Sequence, residues 1–136
     1  MVRADGRSAR EVFADHLRLR RAGQWEEDLE RNYAGDVVML TPDGVYRGKE
    51  GVRRCAGALL KALPCLKYQY RVRRVAGEVA FLEWSAWCEV ARVDDGVDSF
   101  VIRGGRIVAQ TVHYTVRPRV SGGGRRPRGV ARGKRS

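Results

Sequence analysis

A chain of 136 residues, 43% hydrophobic and 32% charged, suffices for one compact domain and leaves no room for a second. No apolar run reaches the roughly 18 residues of a membrane span, and the charged opening Met1-Val2-Arg3-Ala4-Asp5-Gly6-Arg7 lacks the apolar stretch of a secretory signal, so a cytoplasmic protein with no membrane partner is expected. The formal charge is +11, but residues 121–136 hold six basic residues and no acid, which leaves 21 basic against 16 acidic residues before them and makes charge a weak argument for a nucleic-acid partner.

Ser8, with Glu11 three residues on, forms a capping-box pattern that opens a helix over residues 8–22, closed by Gly23. Ala9, Val12, Phe13, His16 and Arg20 share one arc of it, so His16 points to the apolar side. A second helix over 24–33 aligns Trp25, Leu29 and Tyr33, with its acids near the N-terminus, where the helix dipole favours them. Asp36 to Thr41 predicts a strand ended by Pro42-Asp43-Gly44, a brief strand follows at Val45 to Arg47, and residues 49–63 predict a third helix. From Leu66 the period is 2: one strand with Tyr68, Tyr70 and Val72 on a common face, a long one from Val79 to Ala91, a turn at Asp94-Asp95-Gly96, then Val97 to Arg103. Gly104-Gly105 predicts a two-residue hairpin into a last strand, Arg106 to Val116. Helices followed by an antiparallel meander make an α+β domain over residues 8–117, between a short segment 1–7 and a basic, Gly/Arg/Pro-rich tail 118–136 that is expected to be disordered. That tail has no interleaved aromatics on which bases could stack, so nucleic acid is not an expected partner. Cys55, Cys65 and Cys88 sit among apolar neighbours without metal-ligand spacing and are expected to be buried thiols; no metal or cofactor motif is present.

The segments YAGDVVMLTPDGVYRGKEGVRR and FVIRGGRIVAQTVHYTV, with Asp36 opening the first strand, Gly48 and Gly51 around the third helix start and a Gly-Arg-Ile turn into the last strand, resemble the SnoaL-like branch of the nuclear-transport-factor-2-like superfamily. The resemblance implies a cystatin-like α+β roll, a cone-shaped curved antiparallel sheet wrapped around the N-terminal helices, with a pocket for a small apolar molecule at its open end. The superfamily includes polyketide cyclases, ketosteroid isomerases and proteins without known activity, so the fold alone decides little.

Asp98 shares a strand face with Phe100 and Ile102, and a carboxylate on an apolar surface has a raised pKa. The resemblance implies that Asp98 stands at the oxyanion-stabilising aspartate of the isomerases and His16 at their oxyanion tyrosine. Their general-base aspartate falls at Thr41, which cannot serve as a base. On the long strand, apolar content alone would turn Leu82, Trp84, Ala86 and Cys88 inward. The resemblance implies the opposite pleat, with Glu83 and Trp87 facing the cone, Glu83 as the general base, and the apolar face against a second subunit of a homodimer. On the last strand it favours Gln110 and Tyr114 inside and His113 outside. Phe13, Thr41, Tyr46, Trp87, Gln110 and Tyr114 are thus the expected ligand-binding set, with Glu83, Asp98 and His16 as the expected catalytic one. The expected function is cofactor-free acid/base cyclisation, isomerisation or dehydration of a small apolar oxygenated compound, or else non-catalytic ligand binding or homodimeric scaffolding.

Overall fold

The structure is a computed structural model that describes residues 6–64 and 67–119. Cys65, Leu66 and residues 120–136 of the basic tail lie outside the described residues, as do residues 1–5 of the N-terminal segment. Helices α1 (Ala9–Arg21), α2 (Trp25–Asn32) and α3 (Gly48–Ala62) accompany strands β1 (Tyr33–Thr41), β2 (Gly44–Arg47), β3 (Lys67–Ala76), β4 (Val79–Trp87), β5 (Ala91–Arg103), β6 (Arg106–His113) and the short β7 (Arg117–Pro118). The capping box forms at α1: the Glu11 N–H donates to Ser8 Oγ at 3.1 Å and the Ser8 N–H to Glu11 Oε1 at 2.8 Å. Gly104 and Gly105 take φ of +63° and +78°, the left-handed values that a two-residue hairpin requires.

The strands run β2-β1-β6-β5-β4-β3 in one curved, open sheet. All neighbours pair antiparallel except β1 and β6, which run parallel and join the β1–β2 hairpin to the meander. The sheet is therefore mixed rather than wholly antiparallel as expected. Helix α1 packs across β3, β4, β5 and β6 on one face of the sheet. Register shifts in β3 and β5 supply the bend, since an extra residue on one strand of a pair kinks and twists it.

The β5 shift corrects the expected turn at Asp94-Asp95-Gly96. Trp84 pairs with Gly96 and Ala86 with Val93, so Asp94 and Asp95 together oppose Ser85 as a bulge inside β5. The reversal lies earlier, at Cys88 to Val90, where the Cys88 N–H donates to the Ala91 carbonyl at 2.9 Å. Asp95 fixes the bulge by accepting from the Thr115 N–H and hydroxyl, both at 2.8 Å. Burial pushes the Asp95 carboxyl up, but these bonds outweigh it and hold the group below its ordinary range. The expected tail also starts too early: Pro118 pairs with Ala91, and Arg119 donates its backbone N–H to Val90 and its guanidinium to the Cys88 carbonyl, each at 2.9 Å.

On β4 the buried residues are Ala80, Leu82, Trp84 and Ala86, and Val79, Phe81, Glu83, Ser85 and Trp87 face away. Glu83 and Trp87 are therefore outside the cone, contrary to the expectation above. The pleat follows the larger apolar surface, since burying the Leu82 and Trp84 side chains returns about 1.5–3 kcal/mol each, whereas a buried carboxylate would need partners. The face expected to meet a second subunit is the core face.

Candidate functional site

A cavity of about 220 Å³ lies between the concave face of the sheet, α1 and α3. Of the expected residues, His16, Thr41, Tyr46, Asp98, Gln110 and Tyr114 line it. Phe13 does not; it packs edge-on against Phe100, ring centroids 5.3 Å apart, in the core behind His16. Glu83 and Trp87 are on the far side of the sheet. His113 is outside too, its side chain 59% exposed and Nε2 3.9 Å from Asp95.

One wall is a row of aromatic rings contributed by adjacent strands. Tyr68 stacks on Tyr70, meets Trp84 edge-on, and Trp84 in turn meets Tyr114, every centroid separation being 5.7 Å. Tyr68 and Tyr70 share this wall because both pair with inward residues of β4, Ala86 and Trp84. The β3 shift then turns Val72 outward to pair with Glu83, so the expected Tyr68, Tyr70, Val72 face is broken. Val52, Cys55, Ala56 and Leu59 of α3 form the opposite, smaller-sided wall. Burial raises the pKa of the Cys55 thiol, which keeps it in the unreactive form.

Trp84 depends on its neighbour in β5. A Cβ at Gly96 would stand 2.2 Å from the Trp84 indole, so the ring occupies space that only glycine leaves free. Thus held, Trp84 Nε1 donates to Asp98 Oδ1 at 2.8 Å. Gln110 Nε2 donates to Asp98 Oδ2 at 2.9 Å, and Gln110 Oε1 accepts from the Tyr33 hydroxyl at 2.6 Å. Each carboxyl oxygen thereby has one N–H donor and a further lone-pair site to spare. Burial raises the Asp98 pKa, against the opposing pull of the Trp84 and Gln110 donors, of His16 when it is protonated, and of the Arg20 charge.

The partner of His16 is Asp28, a residue absent from the expected set. His16 Nδ1 lies 2.8 Å from Asp28 Oδ2 and 3.1 Å from Oδ1. Asp28 also accepts from Arg20 Nε and Asn32 Nδ2, both at 2.8 Å, and is wholly buried. Burial pushes its carboxyl up, but the charge of protonated His16, the Arg20 charge and these hydrogen bonds outweigh it and hold the pKa at about 2. Asp28 was legible in principle: Trp25, Asp28, Leu29 and Asn32 share one stripe of α2, so two polar residues stand where apolar ones are expected. No protein group among the described residues hydrogen-bonds His16 Nε2. Arg20 lines the cavity beside these groups, its side chain 14% exposed.

Chemically, the floor of the cavity brings together an imidazole held through one nitrogen, a carboxyl group held through both oxygens, and a buried guanidinium. Among the described residues no group of three or more His, Cys, Asp or Glu is placed to hold a metal ion. No helix among them is long and apolar enough to cross a membrane.

Similar folds occur in an NTF2-like protein of unknown function from Burkholderia xenovorans (18% identity over 84% of this chain and 88% of that one, TM-score 0.64). They also occur in a Sinorhizobium meliloti protein provisionally described as a polyketide cyclase (19% identity, 74% and 92%, TM-score 0.61). A de novo designed protein with a curved β-sheet matches as well (18% identity, 79% and 84%, TM-score 0.66), so the architecture by itself carries no reaction. No curated protein matches the chain. Residues 13–110, well over half of the sequence, match the family model of the SnoaL-like domain, and the chain belongs to that family.

Proposed function

We propose that this chain is a cofactor-free acid/base catalyst that binds a small, largely apolar, oxygenated compound and enolises it, as a cyclase, isomerase or dehydratase must. The observation that carries this reading is that two separately oriented titratable groups, His16 on Asp28 and Asp98 on Trp84 and Gln110, line one cavity with an otherwise aromatic and aliphatic wall. With Glu83 outside, the base role passes to His16. Its Nδ1–H is directed at the Asp28 carboxylate, which fixes the tautomer and leaves the Nε2 lone pair to take a proton from a carbon next to a carbonyl. Asp98, its pKa raised, supplies the acid: the hydroxyl oxygen accepts from Gln110 and donates its own proton to the developing enolate oxygen. Tyr68, Tyr114, Tyr46 and Thr41 hold the ligand's remaining surface. The proton then returns from imidazolium to another carbon, or a hydroxyl leaves, according to the substrate.

Carbon-bound hydrogen exchange tests this without requiring the physiological substrate. A panel of cyclic and aryl ketones, incubated with the protein in D2O and followed by NMR, should contain members whose α-hydrogens exchange faster than in buffer, and the acceleration should vanish in Asp98→Asn. Panel members that bind in the cavity yet exchange no faster than in buffer, or exchange indifferent to Asp98, would discard the catalytic reading in favour of non-catalytic ligand binding.

The partner reading is a homodimer, now through the outward sheet face. Leu40, Val45 and Val79 are 46%, 56% and 55% exposed there, Val45 and Leu40 in one row with the outward Phe81 across Thr111 and Ser99, on a face that a second copy would cover. Sedimentation of the full chain should give twice the monomer mass, and Leu40→Glu with Val79→Glu should restore the monomer; a wild-type monomer at micromolar concentration overturns it.

A further inference from the structure

We propose that the Trp87 end of the outward sheet face binds single-stranded nucleic acid, at a site separate from the cavity. The strand register sets four side chains in one row across the sheet: Lys67 of β3 pairs with Trp87 of β4, Trp87 with Arg92 of β5, and Arg92 with Arg117 of β7. Paired residues share a face, so at the usual strand spacing of about 4.8 Å the row spans roughly 15 Å and reads cation, aromatic, cation, cation. All four are exposed. Trp87 also lines a shallow groove with Gln69, Ser85, Arg92 and Arg119.

Several observations together point to a polyanion that carries flat rings. Trp87 is 37% exposed, and among the described residues no guanidinium lies over its ring and no group accepts from its indole N–H. Lys67 and Arg117 have no hydrogen-bonded or ion-paired partner among the described residues. Arg92 is shared with Asp94 at 3.0 Å, and Arg71 donates to the Asp94 backbone carbonyl. With Arg119, five cations therefore lie in or beside this row, against the acids Glu89, Asp94 and Asp95, of which Asp94 pairs with Arg92 and Asp95 is held by Thr115. The sequence after β7 adds six basic residues and no acid within 120–136.

The basic tail alone has phosphate-binding charge but no surface for bases. The folded domain supplies that surface in Trp87, next to the point where the tail departs. A duplex would hide its base faces from the indole, whereas a single strand offers them. An anionic membrane fits less well, because Trp87 lies in a row of charged neighbours at sheet spacing and cannot enter an acyl layer without them. The row also stands clear of the apolar end of the face: Val79 and Trp87 are eight residues apart on β4, about 26 Å, with Glu83 and Ser85 between them.

Fluorescence anisotropy with a labelled oligo-dT 16-mer and the full chain tests the site. Binding at 50 mM salt should weaken as salt rises, with a log–log slope of roughly −2 to −3 if three or four phosphates are neutralised. Trp87→Ala should weaken it about 10-fold or more, while Trp87→Phe, which keeps a stacking ring, should stay within about 3-fold of wild type. Lys67→Glu with Arg117→Glu, both on exposed side chains, should weaken it and make the slope shallower by roughly 1.4. Thermal melts matching wild type would show that the variants are folded. No binding to oligo-dT, equal affinity in Trp87→Ala, an unchanged slope in the charge-reversed variant, or binding to phosphatidylserine vesicles but not to oligo-dT would each overturn the proposal.

Discussion

Asp28→Ala should cost about 3–5 kcal/mol of stability and lower Tm by roughly 10 °C or more, the largest loss expected from any single polar substitution here. Asp28 is wholly buried and is the common acceptor of His16, Arg20 and Asn32. Its removal leaves a guanidinium and two N–H donors in the interior without their acceptor, and a buried charge without its partner is the costly case. The same residue should shape the acid limb of the stability curve. Its pKa falls from the ordinary 3.8 to about 2 in the fold, so the unfolded chain binds the proton more readily and stability is lost as pH drops between those two values. The shift corresponds to about 2 to 3 kcal/mol at roughly 1.4 kcal/mol per unit. Urea denaturation at pH 7 and pH 2.5 measures it: Asp28→Asn should lose stability at pH 7 and show a limb flatter by one proton. A cost below 1 kcal/mol for the alanine variant would mean that the His16 and Arg20 positions do not rest on this carboxylate.

The parts of this molecule that sequence makes legible are those decided locally. Ser8 and Glu11 cap a helix because their side chains reach each other's backbone within one turn, and Gly104-Gly105 closes a hairpin because only glycine takes that backbone cheaply. His16 and Asp98 reach the cavity from the apolar faces that helical and strand periods mark, whereas alternation only ties Gln110 to Tyr114 and it is the resemblance that favours their face over that of His113. Glu83 and Trp87 are misplaced when a resemblance is set above the alternation itself. Leu82, Trp84 and Ala86 already mark the inward face, and burial of apolar surface prevails. The bulges at Arg71 and at Asp94-Asp95 are a different matter. A one-residue shift inverts every face beyond it, and what selects its place is the Trp84 ring lying on Gly96, a contact between two strands that no single segment reveals. Asp28 lies between these cases, visible as a polar residue on an apolar stripe but explicable only once α1 sets His16 and Arg20 against it.

Asp98→Asn should respond in the opposite sense, abolishing catalysis while leaving the fold as stable as before or more so. Burial raises the Asp98 pKa, so the native state binds this proton more tightly than the unfolded chain does. Stability attributable to the group is then present at low pH and falls as pH rises from about 4 through the folded-state value, and at pH 7 any ionised Asp98 is a cost. Asparagine removes that cost without changing the shape. Its Oδ1 can still accept from Trp84 Nε1, and its new N–H2 is met if the Gln110 amide turns over, so that Oε1 accepts from Asn and Nε2 donates to the Tyr33 hydroxyl oxygen; the Tyr33 O–H then loses its Gln110 acceptor, which offsets part of the gain. What the amide cannot do is release a proton to a ligand oxygen, and loss of one positioned acid costs about 10²- to 10⁴-fold in rate. Thermal melts across pH 4 to 8 should show Asp98→Asn gaining on wild type as pH rises, while ketone hydrogen exchange in D2O falls to the level of buffer. If the variant instead melts well below wild type at pH 7, the carboxylate is ionised and stabilising in the native state, and its role as the acid falls with it.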